Sequence, residues 1–426
     1  MWIAICGEPD YASAVNAFLL LILTVLVTRY LLDLAADRLN VLHIAERLPD
    51  EFVDIYDAER YSRSQQYLKE KTIFGSVADT VNTVAVIVMI LAGGFNLVDR
   101  AARALFDTEI LTGLTFIAIL LVLGWLLSLP FSLYRIFVIE EKYGFNRMTP
   151  RTFILDTLKG MCLTVLLGGP VLAAVLWFFS AAGSGAWLYC WGAVALFQVF
   201  VAFIAPTIIL PLFNKFTPLE AGELREAIER YADEQQFTMK GIFEIDGSKR
   251  STKTNAFFTG FGKSRRIALF DTLIRNHTVP ELLAVVAHEM GHYRKKHVLK
   301  GILRGLAVMA LMFYLLSLFL NNRELFSAFR MEHLSVYASL VFFGFLYTPI
   351  RVLLDLVVNG VSRRQEYEAD RFAADTTADP EAMIMALKRM SVDNLSNLTP
   401  HPLKVALEYS HPPVLKRIRA LRARSQ

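Results

Sequence analysis

Seven stretches of the chain stay apolar for longer than a soluble core requires. Residues 111–131, 160–179 and 186–213 carry no charged side chain. Each is close to or above the ~20 residues a helix needs to cross the hydrocarbon of a bilayer. Four weaker runs join them: 14–28, continuing past Arg29 to residue 34, then 80–98, 305–320 and 334–350. The pattern predicts seven membrane helices. The fifth run, 28 residues long, exceeds the bilayer and holds Pro206 and Pro211, so it is expected to tilt or break near one face.

Between the fifth and sixth runs the pattern changes. Residues 218–236 read as a charged amphipathic helix, and 241–245, 254–258 and 266–270 as short strands around a basic turn, Gly-Ser-Lys-Arg-Ser, at 247–251. A helix then opens at Thr278. Glu281 three residues on completes a capping box, and Pro280 sits in the first turn, where its missing N–H costs nothing. Leu282, Leu283, Val285, Val286 and Met290 recur at helical spacing.

Composition agrees with the membrane reading. Of 426 residues 54% are apolar, and the mean hydropathy is +0.41. No Lys or Arg precedes the first run, so it lacks the basic region of a cleaved leader and is expected to be retained as a span. Cys6, Cys162 and Cys190 form no C-x-x-C pair, which speaks against thiolate metal binding or a disulfide framework. Basic residues fall on alternate loops: six in 35–77 and five in 132–159, against two, none and two in the others. That asymmetry puts the rich loops, residues 214–303 and the carboxyl-terminal tail in the cytoplasm. The basic residues follow the membrane's inner face, so nucleic acid is not an expected partner.

The helix after Thr278 contains His288, Glu289 and His292, an H-E-x-x-H pattern. Positions i and i+4 share a helical face, so two imidazoles converge on one point with Glu289 beside it. This is the spacing of a catalytic zinc site that keeps a position open for water, with Glu289 as the base. A third ligand is needed. Downstream, Glu366 and Asp370 lie one turn apart, whereas Glu368 points elsewhere and reads as part of a solvated acidic face. Glu366 suits the third position, and Asp370 suits the outer ring N–H of a ligand, with His288 the expected partner. The motif helix is expected to run on toward the sixth apolar run, and His297, five residues past His292, falls off its metal face.

Other residues each admit two roles. His411, stiffened by Pro412 and Pro413, suits an oxyanion donor but equally a capping or packing role. Arg417 suits a substrate anchor or a carboxylate anchor. The small sheet either pairs with an extended peptide or roofs the site. Residues 140–150, Glu-Glu-Lys-Tyr-Gly-Phe-Asn-Arg-Met-Thr-Pro, either cap the bundle or meet substrate.

Four segments together carry a family resemblance: H-E-M-G-H-Y-R-K-K-H, S-R-R-Q-E-Y-E-A-D-R-F-A, S-H-P-P-V-L-K-R-I and D-G-S-K-R-S-T-K-T-N-A-F-F-T-G. With the seven-run layout, they make the chain resemble the integral-membrane zinc proteases of the CAAX prenyl protease type I family, the a-factor converting enzymes. The resemblance implies an all-α membrane protein whose seven transmembrane helices form a barrel around a water-filled chamber, with a small α+β zinc-protease domain on the cytoplasmic side. It implies one zinc per chain on His288, His292 and Glu366, Glu289 as base, Asp370 behind the ligands, and Asn255 and Ala256 pairing with substrate. His411 and Arg417 would be the stabilising pair. Lys253 departs from the pattern, which has His there. The implied substrate is a prenylated carboxyl-terminal peptide, with the bilayer as the other partner. A broader protease clipping membrane proteins, and a transporter or structural protein with a non-catalytic zinc, are the alternatives. The expected division is 1–213 with five spans, 214–303 with the motif helix, 304–360 with two spans, and 361–426 completing the site.

Overall fold

The computed structural model describes residues 16–45, 47–260 and 265–425. Cys6 and the first residues of the first predicted span lie outside them. Among the described residues seven helices are long and apolar enough to cross a membrane: Ala17–Leu42, Ala58–Leu91, Glu109–Glu140, Pro150–Ala181, Gly183–Phe213, His297–Phe319 and Val336–Thr377. They are numbered here as spans one to seven. They keep large apolar side chains exposed, with Leu121, Val165, Leu196 and Phe203 all more than half so, as lipid contact requires.

The fifth span is neither broken nor cut short. A π-helical stretch, Ala205–Ile209, absorbs Pro206 by widening the turn where the ring would strike the preceding carbonyl and where an N–H is missing. Similar stretches, Arg135–Glu140 and Thr164–Gly168, interrupt the third and fourth spans, the first of them just after Pro130.

Only 6–17% of the apolar window of each span is buried, far less than in a solid bundle. Arg351 and Asp355, 3.5 Å apart on the seventh span, are also exposed. Charges on a spanning helix face a wet interior, so the helices stand around a chamber rather than filling it.

Two apolar cores close the assembly. One gathers the connections between spans two and three and between six and seven around Phe95, Phe326, Phe329, Tyr337 and Phe342. There Phe329 and Phe342 stack at 3.7 Å, and Gly113 lets the third span approach the seventh, since a Cβ would meet Tyr337 Cβ at 2.9 Å. The other core joins Phe52, Tyr61, Tyr67, Tyr143 and Phe145 from the basic connections to the motif helix, the sheet and the tail.

The sheet has four strands, β1 (Phe216–Pro218), β2 (Gly241–Ile245), β3 (Ala256–Thr259) and β4 (Arg266–Phe270), in the order β1-β2-β4-β3. β2 and β4 run parallel, and both edge strands are antiparallel to their neighbours. Arg250 fastens this unit to the spans through a bidentate pair with Asp156 (2.7 and 3.0 Å) and the Phe213 carbonyl (2.6 Å). Residues 140–150 lie against the basic turn, with Arg147 N donating to Arg250 O (3.0 Å) and Thr252 N to Phe145 O (3.1 Å).

Candidate metal centre

The motif helix spans Val279–Arg294 and opens with the capping box of Thr278 and Glu281. It packs along the far end of the seventh span. Gly291 permits this, because a Cβ there would stand 3.1 Å from Ala369 Cα and 3.2 Å from its carbonyl oxygen. The seventh span makes the contact possible by its length. At 1.5 Å per residue its 42 residues measure ~63 Å, about twice the hydrocarbon thickness. It continues unbroken through residue 360 and carries Glu366 and Asp370 to the motif helix.

Three donors meet there. His288 Nε2 and His292 Nε2 are 3.1 Å apart, with Glu366 Oε1 3.2 Å from the latter and Oε2 3.5 Å from the former. All three lie within 4.8 Å of one another, the geometry of a metal-binding group. Glu366 Oε2 is buried without a hydrogen-bond partner. Two imidazole nitrogens aimed at each other beside an unsatisfied carboxylate oxygen are a donor set suited to a small divalent cation.

Behind His288, Asp370 Oδ1 accepts from Nδ1 at 2.9 Å. Arg417, buried, grips Asp370 through Nε (2.8 Å) and Nη2 and reaches Glu366 Oε2 at 3.4 Å. Of the two roles open for Arg417, it is therefore a carboxylate that this guanidinium holds. Burial opposes its charge, but Asp370 and Glu366 more than offset that and raise its pKa above the ordinary value. Burial also opposes a charged His288, yet the two carboxylates prevail and push it up to about 9.

Glu289 is half-buried and engaged in no hydrogen bond or ion pair among the described residues, which leaves its carboxylate available for a proton. His411 Nε2 lies 3.4 Å from Glu366 Oε1 while the side chain is 64% exposed, so it flanks the donor set from the open side. Asn255 and Ala256 stand where edge strand β3 begins. Phe270 N donates to Asn255 O (3.1 Å), so the backbone groups of Ala256 point to the unpaired edge, where Asn255 Oδ1 accepts from Ala256 N (2.9 Å). Lys253 donates to Glu140 (2.8 Å) and Tyr67 OH (2.9 Å) and lies 4.3 Å over the Phe145 ring.

Two expectations fail. The motif helix does not run on into the sixth span: it ends at Arg294, and Lys296, in the left-handed region at φ +58°, restarts the chain in a new direction. That turn swings His297 back against the ring of His292, so it stays off the metal face, as expected, but lies 3.1 Å from Nδ1 on the side away from the three donors. Glu368 is solvated on one side only, because its Oε2 lies 3.2 Å from His297 Nε2 while the side chain stays 36% exposed. No signal in the sequence marks the turn, which falls on Lys rather than Gly.

The chain matches the family described as "CAAX prenyl protease N-terminal, five membrane helices" over residues 38–215 and "Peptidase family M48" over 218–425. A CAAX prenyl protease 1 homolog of Oryza sativa subsp. japonica is 36% identical over 382 residues, covering 88% of this chain and 90% of that protein. The CAAX prenyl protease 1 homolog of Homo sapiens is 30% identical, with 92% of each covered. The crystal structure of S. mikatae Ste24p superposes with a TM-score of 0.91 at 31% identity, over 96% of this chain and all of that one.

Proposed function

The chain belongs to peptidase family M48, in its CAAX prenyl protease branch, and is an integral, multi-pass membrane endopeptidase of the metalloprotease class; on that premise we propose that it uses one zinc ion, held by His288, His292 and Glu366, to cleave carboxyl-terminal CAAX-type peptides that carry a prenyl group. The convergence of those three donors within 4.8 Å carries the reading. Zinc bound there supplies a Lewis acid that polarises the scissile carbonyl and makes water a nucleophile near neutral pH.

This chain's own residues do the rest. Glu289 takes the proton from the attacking water and delivers it to the leaving amine. His411, from the open side, donates to the oxyanion of the tetrahedral intermediate. Asp370 keeps the proton of His288 on Nδ1, so that Nε2 presents its lone pair to the metal, and Arg417 holds Asp370 in place. The outward backbone groups of Ala256, with the Asn255 side chain beside them, offer an extended peptide an edge to pair with, and main-chain pairing fixes the scissile bond without reading its side chains. The excess of Lys and Arg on the connections at this end favours a cytoplasmic active site.

The test is cleavage of a farnesylated carboxyl-terminal peptide by purified protein, read by mass spectrometry. Matched arms hold a chelator, Glu289→Gln, and the same peptide without its prenyl group. Cleavage lost in the first two arms and weakened in the third is expected. Uncleaved peptide in every arm overturns the proposal, and equal cleavage with and without the lipid favours a broader membrane protease.

A further inference from the structure

The two imidazoles of the proposed metal centre are backed differently, and the family reading accounts for only one backing. His288 leans on Asp370 directly. His292 leans on His297, a buried residue at 4% exposure, which leans in turn on Glu368. We infer that His297 and Glu368 form a hydrogen-bond relay that positions His292 for metal binding.

Ring tautomers set the direction of each bond in the relay. In the ring of His292, Nε2 faces His288 and Glu366, so it must carry the lone pair for a cation to bind, and the proton must sit on Nδ1. That N–H lies 3.1 Å from His297 Nδ1, which therefore accepts. The remaining proton of His297 then occupies Nε2 and is donated to Glu368 Oε2 at 3.2 Å, a carboxylate that only accepts. Every ring nitrogen has one role and all roles agree. The reverse tautomer would aim a lone pair of His297 at a carboxylate and put a proton on the metal-facing nitrogen of His292. At the outer end Arg364 Nε, on the exposed surface, lies 3.5 Å from Glu368 Oε1.

The backbone is also shaped for this contact. Five residues on a continuous helix would turn His297 about 140° away from His292. The left-handed Lys296 removes that separation. A conformation that L side chains seldom adopt is thus held at the point where it brings the two rings together.

This inference rests on the metal reading above, and zinc affinity tests it. Full-length protein in detergent is stripped and titrated with zinc against a chelating dye, alongside thermal unfolding of the metal-free form. His297→Phe is expected to weaken zinc binding roughly 10- to 100-fold and Glu368→Gln about tenfold, with metal-free unfolding midpoints close to wild type. The double variant should bind no more weakly than His297→Phe alone, since both act through one chain of bonds. Rescue by His297→Gln, which can still accept and donate, would support the relay. Wild-type zinc affinity in both single variants, fully additive losses, or a lowered metal-free midpoint with unchanged affinity would overturn it. Glu368 is 36% exposed, so its Gln variant answers the question even where His297→Phe fails to fold. A wild type that takes up no zinc overturns the metal reading itself, and the relay with it.

Discussion

The backing of His288 and the backing of His292 serve one purpose with opposite materials. Behind His288 stands a buried ion pair that joins two distant segments, Asp370 on the seventh span and Arg417 on the last helix. Behind His292 stand a neighbour five residues away and a carboxylate at the protein's edge. The first arrangement is costly to break, because either charge left alone in the interior has no water to turn to. The second costs little to break and acts chiefly on ring orientation. Stability and metal affinity are therefore separable at this site.

The largest expected effect belongs to neither side. Glu289→Gln should lower peptide cleavage by about 10²–10⁴-fold in kcat while leaving zinc affinity at the wild-type value, since Glu289 touches neither backing. Loss of zinc in that variant would merge catalysis with assembly. Next, Arg417→Met should cost about 3–5 kcal/mol of stability, seen as a lower unfolding midpoint in detergent, because Asp370 and Glu366 are left buried without a cation. A midpoint shift of similar size in Glu368→Gln would erase the contrast between the two sides. Gly291→Ala sharpens the contrast from another direction. Its Cβ would press on Ala369 and Phe372, forcing the motif helix from the seventh span, so it should cost roughly 1–3 kcal/mol and weaken zinc on both sides together.

The smallest effect is a pH dependence away from the centre. Burial lowers the pKa of His277 below its ordinary 6.5, and its Nε2 has no partner. The unfolded chain therefore binds this proton first as pH falls, so the stability from a neutral His277 is present above pH 6.5 and declines below it. His277→Gln should flatten the unfolding midpoint between about pH 7 and 5 by a small amount. An unchanged slope would show that His277 does not contribute.

Much of this was legible in the sequence because the bilayer admits few solutions. Spans must satisfy their own backbones, so long apolar runs are helices, and the H-E-x-x-H spacing is meaningful once the helix is secure. Glu366 emerged as the carboxylate that a two-histidine site lacks, and Asp370 as its helical neighbour. What stayed hidden depends on single backbone torsions and on long-range pairing. The turn at Lys296 has no Gly, Pro or Asn to mark it, so the contact of His297 with His292 stayed hidden and Glu368 looked solvated. The parallel pairing of β2 with β4 and the unbroken run of the seventh span past residue 350 are likewise set by tertiary packing. At Pro206 the disturbance was foreseen, but a widened turn rather than a break resolved it.

The length of the seventh helix has a consequence for how the molecule comes into being. Both histidines are synthesised before the last two crossings, whereas Glu366, Asp370 and Arg417 follow them in the chain. A ribosome that has released only the first six spans has made a protein with two of its three donors and no counter-charge for either. On the proposed ligand set, hydrolytic capability arrives with the final rod, after the compartment is walled, and a nascent chain cannot cut its surroundings while it is still being threaded.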